Sequence, residues 1–218
     1  MDLFVIGDVH GCYVTFLKMI DRWDKEREIL IQLGDLIDRG NGSPEVVKLA
    51  RHLKKVHRDQ AFFIKGNHEY EMIEHITNPP NNNWLKQGGS ETLHQYLAVG
   101  QNIKDDVDWL RTMPLYWGND HVFISHAGIS EIAKNPFNET SEYGILWNRG
   151  PLKNIQKLQI IGHTPGDWPI FDRQSNSWNI DTAAVFGNQL TGMKLKQSGE
   201  LIDWIHIRTD KRDMRKKR

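Results

Sequence analysis

Leu3-Phe4-Val5-Ile6-Gly7-Asp8-Val9-His10-Gly11 begins with an apolar run of the length and β-branched content of a buried strand. It ends in a carboxylate and an imidazole framed by glycines, and glycine lets the backbone turn sharply at a strand end. Asp8 and His10 are therefore expected in a loop that leaves the strand. If extended geometry persists past Gly7, the two side chains point to one side, because strand side chains alternate with period two. The same grammar recurs along the chain. Ile29-Leu30-Ile31-Gln32-Leu33 leads into Gly34-Asp35-Leu36-Ile37-Asp38-Arg39-Gly40, and Ala61-Phe62-Phe63-Ile64 leads into Gly66-Asn67-His68-Glu69. Val122-Phe123-Ile124 leads into Ser125-His126-Ala127-Gly128, and Gln159-Ile160-Ile161 into Gly162-His163-Thr164-Pro165. Each string alone is a common surface turn, but their ordered recurrence at successive strand ends is not an accident of composition. Open α/β sheets bind ligands at the C-terminal ends of their strands, which is where these strings fall.

Asp8, His10, Asp35, Asn67, His126 and His163 offer carboxylates, an amide oxygen and imidazoles, with no thiolate. That donor set suits Mn²⁺, Fe or Zn²⁺ better than Ca²⁺, which takes oxygen alone, and does not resemble a cysteine-rich structural zinc site. The set is too small for two closed shells unless one ligand bridges. Asp35 is the natural bridge, since a carboxylate has two oxygens to share. Two metals held about 3.5–4 Å apart clamp an in-line displacement. Their combined charge exceeds that of the two carboxylates, so such a site attracts a phosphate and lowers the pKa of bound water.

Between these strings the pattern alternates strands with helices. Tyr13-Val14, Phe16-Leu17 and Ile20 keep helical spacing, and Ser43-Pro44-Glu45 reads as an N-cap, first-turn proline and first-turn acid ahead of another helix. Asn78-Pro79-Pro80-Asn81-Asn82-Asn83 breaks two helical stretches, and Ser90–Leu97 and Asp105–Arg111 read as further helices. From Trp178 onward the chain reads as strands, over 178–180, 189–195 and 201–207. The 218 residues support one substantial domain. No apolar run approaches the roughly 20 residues of a membrane span, and with a strand starting almost at once no signal peptide is expected. The single cysteine, Cys12, reads as a small packed residue, and a cytoplasmic location is expected. Net charge is zero, but Lys211–Arg218 holds six basic residues and one acidic residue. The remainder carries 22 basic and 27 acidic residues, which argues against a nucleic-acid enzyme. The tail itself is expected to be a solvated, frayed terminus.

The glycine-marked strings resemble those of the metal-dependent phosphoprotein phosphatases within the calcineurin-like metallophosphoesterases. The short chain and Ile180-Asp181-Thr182 are most similar to the small bacterial and bacteriophage lambda-type serine/threonine protein phosphatases. The likeness runs from about Leu3 to Leu195. It implies an α/β fold of two packed mixed β-sheets flanked by helices, with a dinuclear metal site at strand C-terminal ends. It also implies a phosphatase domain over 1–209 followed by a basic tail over 210–218. Carried over by matching string, Asp8, His10 and Asp35 hold the first divalent metal, and Asp35, Asn67, His126 and His163 the second, with Mn²⁺ foremost. His68 is the general acid oriented by Asp38, Arg39 is a phosphate clamp, and Arg149 in Leu146-Trp147-Asn148-Arg149 matches a second phosphate-binding arginine. Two positions depart from the family pattern. Asn41-Gly42 stands where proline is frequent, so that loop is expected to be less rigid, and Ala183 stands where glycine is common.

The implied reaction is removal of phosphate from phosphoserine and phosphothreonine, with phosphotyrosine within reach. A metal-bridging hydroxide attacks phosphorus directly, and the enzyme is a monomer acting on phosphoproteins or phosphopeptides. The nearest alternative is a symmetrical dinucleoside polyphosphate hydrolase. In those relatives the position matching Asp38 is commonly not acidic and the third string commonly ends in Asp, so Asp38 and Glu69 favour the protein phosphatases. A metallonuclease fits worse, because such relatives generally lack the Asp-Arg-Gly element. A catalytically silent scaffold fits poorly with an intact ligand set, acid and clamp. Asp181 has two readings at this stage: a partner for a ligand imidazole, or a strand-end residue.

Overall fold

In a computed structural model that describes residues 1–215, β1 (Asp2–Ile6), β2 (Glu28–Gln32) and β3 (Ala61–Phe63) pair in parallel. Helix α1 (Tyr13–Ile20) connects the first two strands and α2 (Ser43–His57) the second pair. On the other side of β1, β9 (Gln189–Leu195) and β10 (Leu201–Arg208) add antiparallel, giving the order β10-β9-β1-β2-β3. A second sheet has the order β4-β5-β6-β8-β7, from β4 (Tyr116–Gly118), β5 (Val122–Ser125), β6 (Leu158–Ile161), β7 (Ile170–Asp172) and β8 (Ser177–Asn179). Its centre, β5-β6-β8, is parallel, and β4 and β7 flank it antiparallel. Both sheets are mixed, as the resemblance implies.

Alternation along β1 explains the layering. Leu3 and Val5 face the second sheet, where they pack with Ile31, Val122, Ile124 and Ile160. Phe4 and Ile6 point the opposite way, onto Phe16 and Met19 of α1 and Val47 of α2. Strands buried on both faces read as continuous apolar runs, and these do. Each fully buried side chain here contributes roughly 1.5–3 kcal/mol of burial, so neither face is dispensable. Among the described residues no helix is long and apolar enough to cross a membrane.

Helix α3 (Asn67–Thr77) begins inside the third string itself. The proline–asparagine break follows it, then a single turn α4 (Asn82–Trp84), a wide turn over Leu85–Gly89, α5 (Ser90–Val99) and α6 (Ile103–Arg111). Ser43 is not the cap expected for α2: Gly42 occupies that position. The Ser43 hydroxyl instead accepts the buried backbone N–H of Asp38 at 3.0 Å, a donor that would otherwise be orphaned in its loop.

The expectation of a frayed tail fails over its described part. Asp213 is buried, and its carboxylate accepts the N–H groups of Val14 and Thr15 at 2.9 and 2.7 Å, satisfying the start of α1. An acid among the bases was the signal for this, masked by the surrounding charge run. The expected tail continues over 216–218, which lie outside the described residues.

Candidate metal centre and active site

Loops after β1, β2 and β3 meet those after β5 and β6 at one edge of the sandwich. They turn back over the strand ends because His10, Asp35, Asp38, Arg39 and His163 adopt left-handed backbone, with φ from 45 to 72°. Left-handed geometry costs an L-residue roughly 1–2 kcal/mol, and such strain concentrates at functional sites. It also corrects one expectation: Asp8 and His10 share the site through a turn at His10, not through an extended strand. Two glycines make the crowding possible, since a Cβ at Gly66 or Gly162 would collide with the carboxylate of Asp35 or Asp8.

Asp35 lies between two histidine groups. Its Oδ2 is 3.3 Å from His10 Nε2 and its Oδ1 is 3.5 Å from His126 Nε2, so each oxygen faces a different cluster. His10, Asp35 and His68 form one potential ligand group, and Asp35, His126 and His163 the other. Outer hydrogen bonds fix which nitrogens face inward. His10 Nδ1 donates to Ile37 O at 2.9 Å, His126 Nδ1 to Leu33 O at 2.9 Å, and His163 Nε2 to Trp147 O at 3.2 Å. In those tautomers, assigned from the network, the remaining nitrogens carry lone pairs. His126 Nε2 then stands 3.1 Å from His163 Nδ1 and 3.0 Å from the Asn67 amide oxygen. Three acceptors converge with no proton between them, an arrangement that a cation satisfies.

The carboxylates lead to the same reading. Asp8 Oδ2 accepts the His163 N–H at 3.0 Å, while its Oδ1 is buried without a partner. Burial raises the Asp8 pKa well above the ordinary range, and the nearby Asp181 and Asp35 carboxylates raise it further. Burial likewise lowers the pKa of His10 and His126, and of His163 to about 2, keeping those rings in the neutral form that binds metals. The residues present fit a pair of divalent ions.

Beside this cluster stands a different pair. His68 Nδ1 donates to Asp38 Oδ2 at 2.5 Å, while its Nε2 is buried, unpartnered and 4.0 Å from Asp35 Oδ2. Burial pulls the His68 pKa down, but Asp35 and then Asp38 outweigh it, and the net shift is upward. His68 is thus the one histidine of the centre held towards its charged form. Arg39 Nη1 donates to His10 Nε2 at 2.7 Å, and its guanidinium lies 5.9 Å from the centre of the exposed Phe186 ring. Arg149 is exposed on the other flank, near enough for its charge to help depress His126 and His163.

Two supporting residues, Trp84 and Thr92, carry no signal in the sequence. The Trp84 indole and the Thr92 hydroxyl both donate to Asp38, at 2.7 and 2.6 Å. Nothing in a lone tryptophan after an asparagine run marks that role. Glu69 is buried and accepts the N–H groups of Asp35, Leu36 and Gly66, each at 2.8 Å, clamping the second string to the third. Asp181 accepts Ala183 N–H at 3.0 Å, and its carboxylate lies near enough to Asp8 to help raise the Asp8 pKa. Trp147 contributes its carbonyl to His163, while its ring is held by Glu139 O at 2.7 Å.

A sandwich with mixed N/O donors at its strand ends, beside a buried His–Asp pair and two arginines, has the make-up of a metal-dependent phosphoester hydrolase. The family model for calcineurin-like phosphoesterases matches residues 1–197, and the chain belongs to that family. Its His/Asp cluster is compatible with the dinuclear divalent centre that these enzymes use. The chain is 26% identical to bis(5'-nucleosyl)-tetraphosphatase PrpE [asymmetrical] of Halalkalibacterium halodurans, covering 90% of this chain and 91% of that one. It is 28% identical to serine/threonine-protein phosphatase 1 of Salmonella typhimurium, over 87% and 89% of the two chains. A protein serine/threonine phosphatase from Saccharomyces cerevisiae shares the fold at a TM-score of 0.71 and 18% identity, covering 97% of this chain and 81% of its own.

Proposed function

We propose that this phosphoesterase is a phosphomonoesterase acting on phosphoproteins. The observation that carries the reading is the buried His68–Asp38 pair. A serine or threonine alkoxide is a poor leaving group and needs a proton, whereas a nucleotide leaves as a stable phosphate anion and does not. A pair built to hold a proton on His68 is most useful against the first.

Asp8, His10, Asp35, Asn67, His126 and His163 would hold the two ions, with Mn²⁺ the expected metal. When bound, these supply charge neutralisation and an activated water for attack at phosphorus. Arg39 and Arg149, on opposite flanks, bind the phosphoryl oxygens, which planar guanidinium groups match in geometry. Asp38, itself held by Trp84 and Thr92, fixes the His68 ring. His68 keeps a proton on Nε2 and gives it to the departing oxygen.

Hydrolysis of a dinucleoside tetraphosphate is the second reading, favoured by the likeness to PrpE. Phe186, 65% exposed next to Arg39, also offers a ring face to a base. Comparing kcat/KM for a phosphoserine peptide and diadenosine tetraphosphate separates the two. The phosphopeptide should lead, and an advantage of about tenfold or more for the nucleotide, roughly 1.4 kcal/mol in the transition state, overturns the proposal.

A further inference from the structure

The turn carrying Arg39 is held from the far end of the chain. Asn41 donates its backbone N–H to Asp213 O at 3.2 Å, and its side-chain amide donates to Arg212 O at 2.9 Å and Met214 O at 2.8 Å. Asp213 in turn is anchored in α1, where it accepts the Thr15 hydroxyl at 2.6 Å beside its two backbone bonds. The same segment grips the turn that carries Phe186. Thr209 Oγ1 donates to Ala184 O at 2.6 Å, Thr209 N–H donates to Asn188 O at 3.2 Å, and the Met214 methyl lies over Gly187. Arg39 and Phe186 face each other between those two grips.

We infer that Thr209–Arg215 is a strap that positions Arg39 for phosphate binding, acting through Asn41 on one side and the Phe186 turn on the other. Arg39 has a left-handed backbone with φ of 68°, a state worth roughly 1–2 kcal/mol of strain, so its neighbours must hold it there. Its side chain also has about 2 kcal/mol of rotamer entropy to lose, so affinity depends on how far it is pre-organised. Gly40 and Gly42 tie the turn to His10 O and Gly11 O, each at 2.9 Å, and the strap adds the bonds at Asn41, the residue between them. The inference rests on Arg39 being a phosphate ligand, and Asn41 is a positioning residue that touches no substrate.

The test uses the full-length, metal-loaded protein and inorganic phosphate as the probe, with binding read by calorimetry and amide exchange followed over residues 38–42. Asn41→Ala should weaken phosphate roughly three- to tenfold, the worth of one to two modest hydrogen bonds, and speed exchange in that turn. Met214→Ala should weaken it in the same direction. In an Arg39→Ala background, Asn41→Ala should have no further effect on phosphate, because no clamp is left to position; a general loss of stability would act in both backgrounds. Wild-type phosphate affinity in Asn41→Ala, or an equal loss in both backgrounds, overturns the strap. Arg39→Ala that binds phosphate as wild type does overturns the clamp itself, a separate result from a failed strap.

Discussion

Replacing His68 by asparagine isolates one proton. The asparagine amide stands about where Nδ1 stands, so a donor to Asp38 Oδ2 is retained in kind, and the Trp84 and Thr92 donors are untouched. Deleting a donor outright would cost roughly 1.5–3 kcal/mol at a buried charge; retaining one keeps the fold near wild-type stability. What disappears is Nε2. A general acid is worth about 10²–10⁴ in rate, or roughly 2.7–5.5 kcal/mol. That full loss should appear in kcat/KM for a phosphoserine peptide. For p-nitrophenyl phosphate, whose leaving group is stable as an anion, the loss should stay below about tenfold. Both substrates are assayed on Mn²⁺-loaded protein, with metal content measured by elemental analysis. The wild-type pH profile gives an independent sign. Burial opposes the His68 charge, but Asp35 and Asp38 raise its pKa above the ordinary histidine value. The acid is therefore present at low pH and lost as pH rises through that raised value, so His68→Asn should lack this basic limb. Equal losses on the two substrates refute the general-acid role, and loss of a metal would make His68 a ligand, as its place in the His10–Asp35 group allows.

Chelation should abolish activity and Mn²⁺ should restore it better than Mg²⁺ or Ca²⁺; Asp35→Asn should be worse than loss of any single histidine ligand, because each Asp35 oxygen faces its own cluster. Full activity in protein shown to be metal-free contradicts the assignment. Glu69→Gln should lower stability by roughly 1–3 kcal/mol, since an amide NH₂ must then face a buried backbone N–H, and an unchanged denaturation midpoint counts against the clamp between the second and third strings. Ala183→Gly should raise the melting temperature. Ala183 has a left-handed φ of 58°, so glycine relieves roughly 1–2 kcal/mol and returns about 0.4–1 kcal/mol through unfolded-chain entropy. A lower melting temperature would show that the alanine methyl is packed to advantage.

The strands and the loops that converge at their ends are legible because their signals are local. Leu3–Ile6 buries both faces and so reads as a continuous run, and each glycine-framed donor follows directly on such a run. The helical spacing of Tyr13–Ile20 and the strand read over Gln189–Leu195 also match their observed bounds. What was hidden depends on contacts far apart in sequence. Trp84 reaches Asp38 only because the turn over Leu85–Gly89 folds against the second string, and Asp213 reaches α1 across almost the whole chain. Ser43 was misassigned for a related reason. A serine before a proline and an acid has the local form of a cap, but the buried Asp38 N–H competes for the same oxygen.

The centre is a junction between the two sheets, which contacts of the chain's own also join at this edge. Asp8, His10, Asp35 and Asn67 follow strands of the first sheet, and His126 and His163 follow β5 and β6 of the second. Two proper donor–acceptor bonds already cross the junction at this edge: His126 Nδ1 to Leu33 O, and His163 N–H to Asp8 Oδ2. The apolar layer beneath, from Leu3 and Val5 to Ile124 and Ile160, packs the two sheets against each other. A structural zinc domain differs in that its metal supplies much of the folding free energy. Here a buried apolar layer and cross-sheet bonds lie beneath the facing lone pairs of His126 and His163. Outer hydrogen bonds hold the His10, His126 and His163 rings in single orientations, and pre-organisation of that kind lets a site favour geometry over flexibility in its choice of metal. Asp35→Asn should therefore lower the metal content while the denaturation midpoint stays near wild type, and a variant that unfolds as it loses metal would show that the ions hold the sheets together.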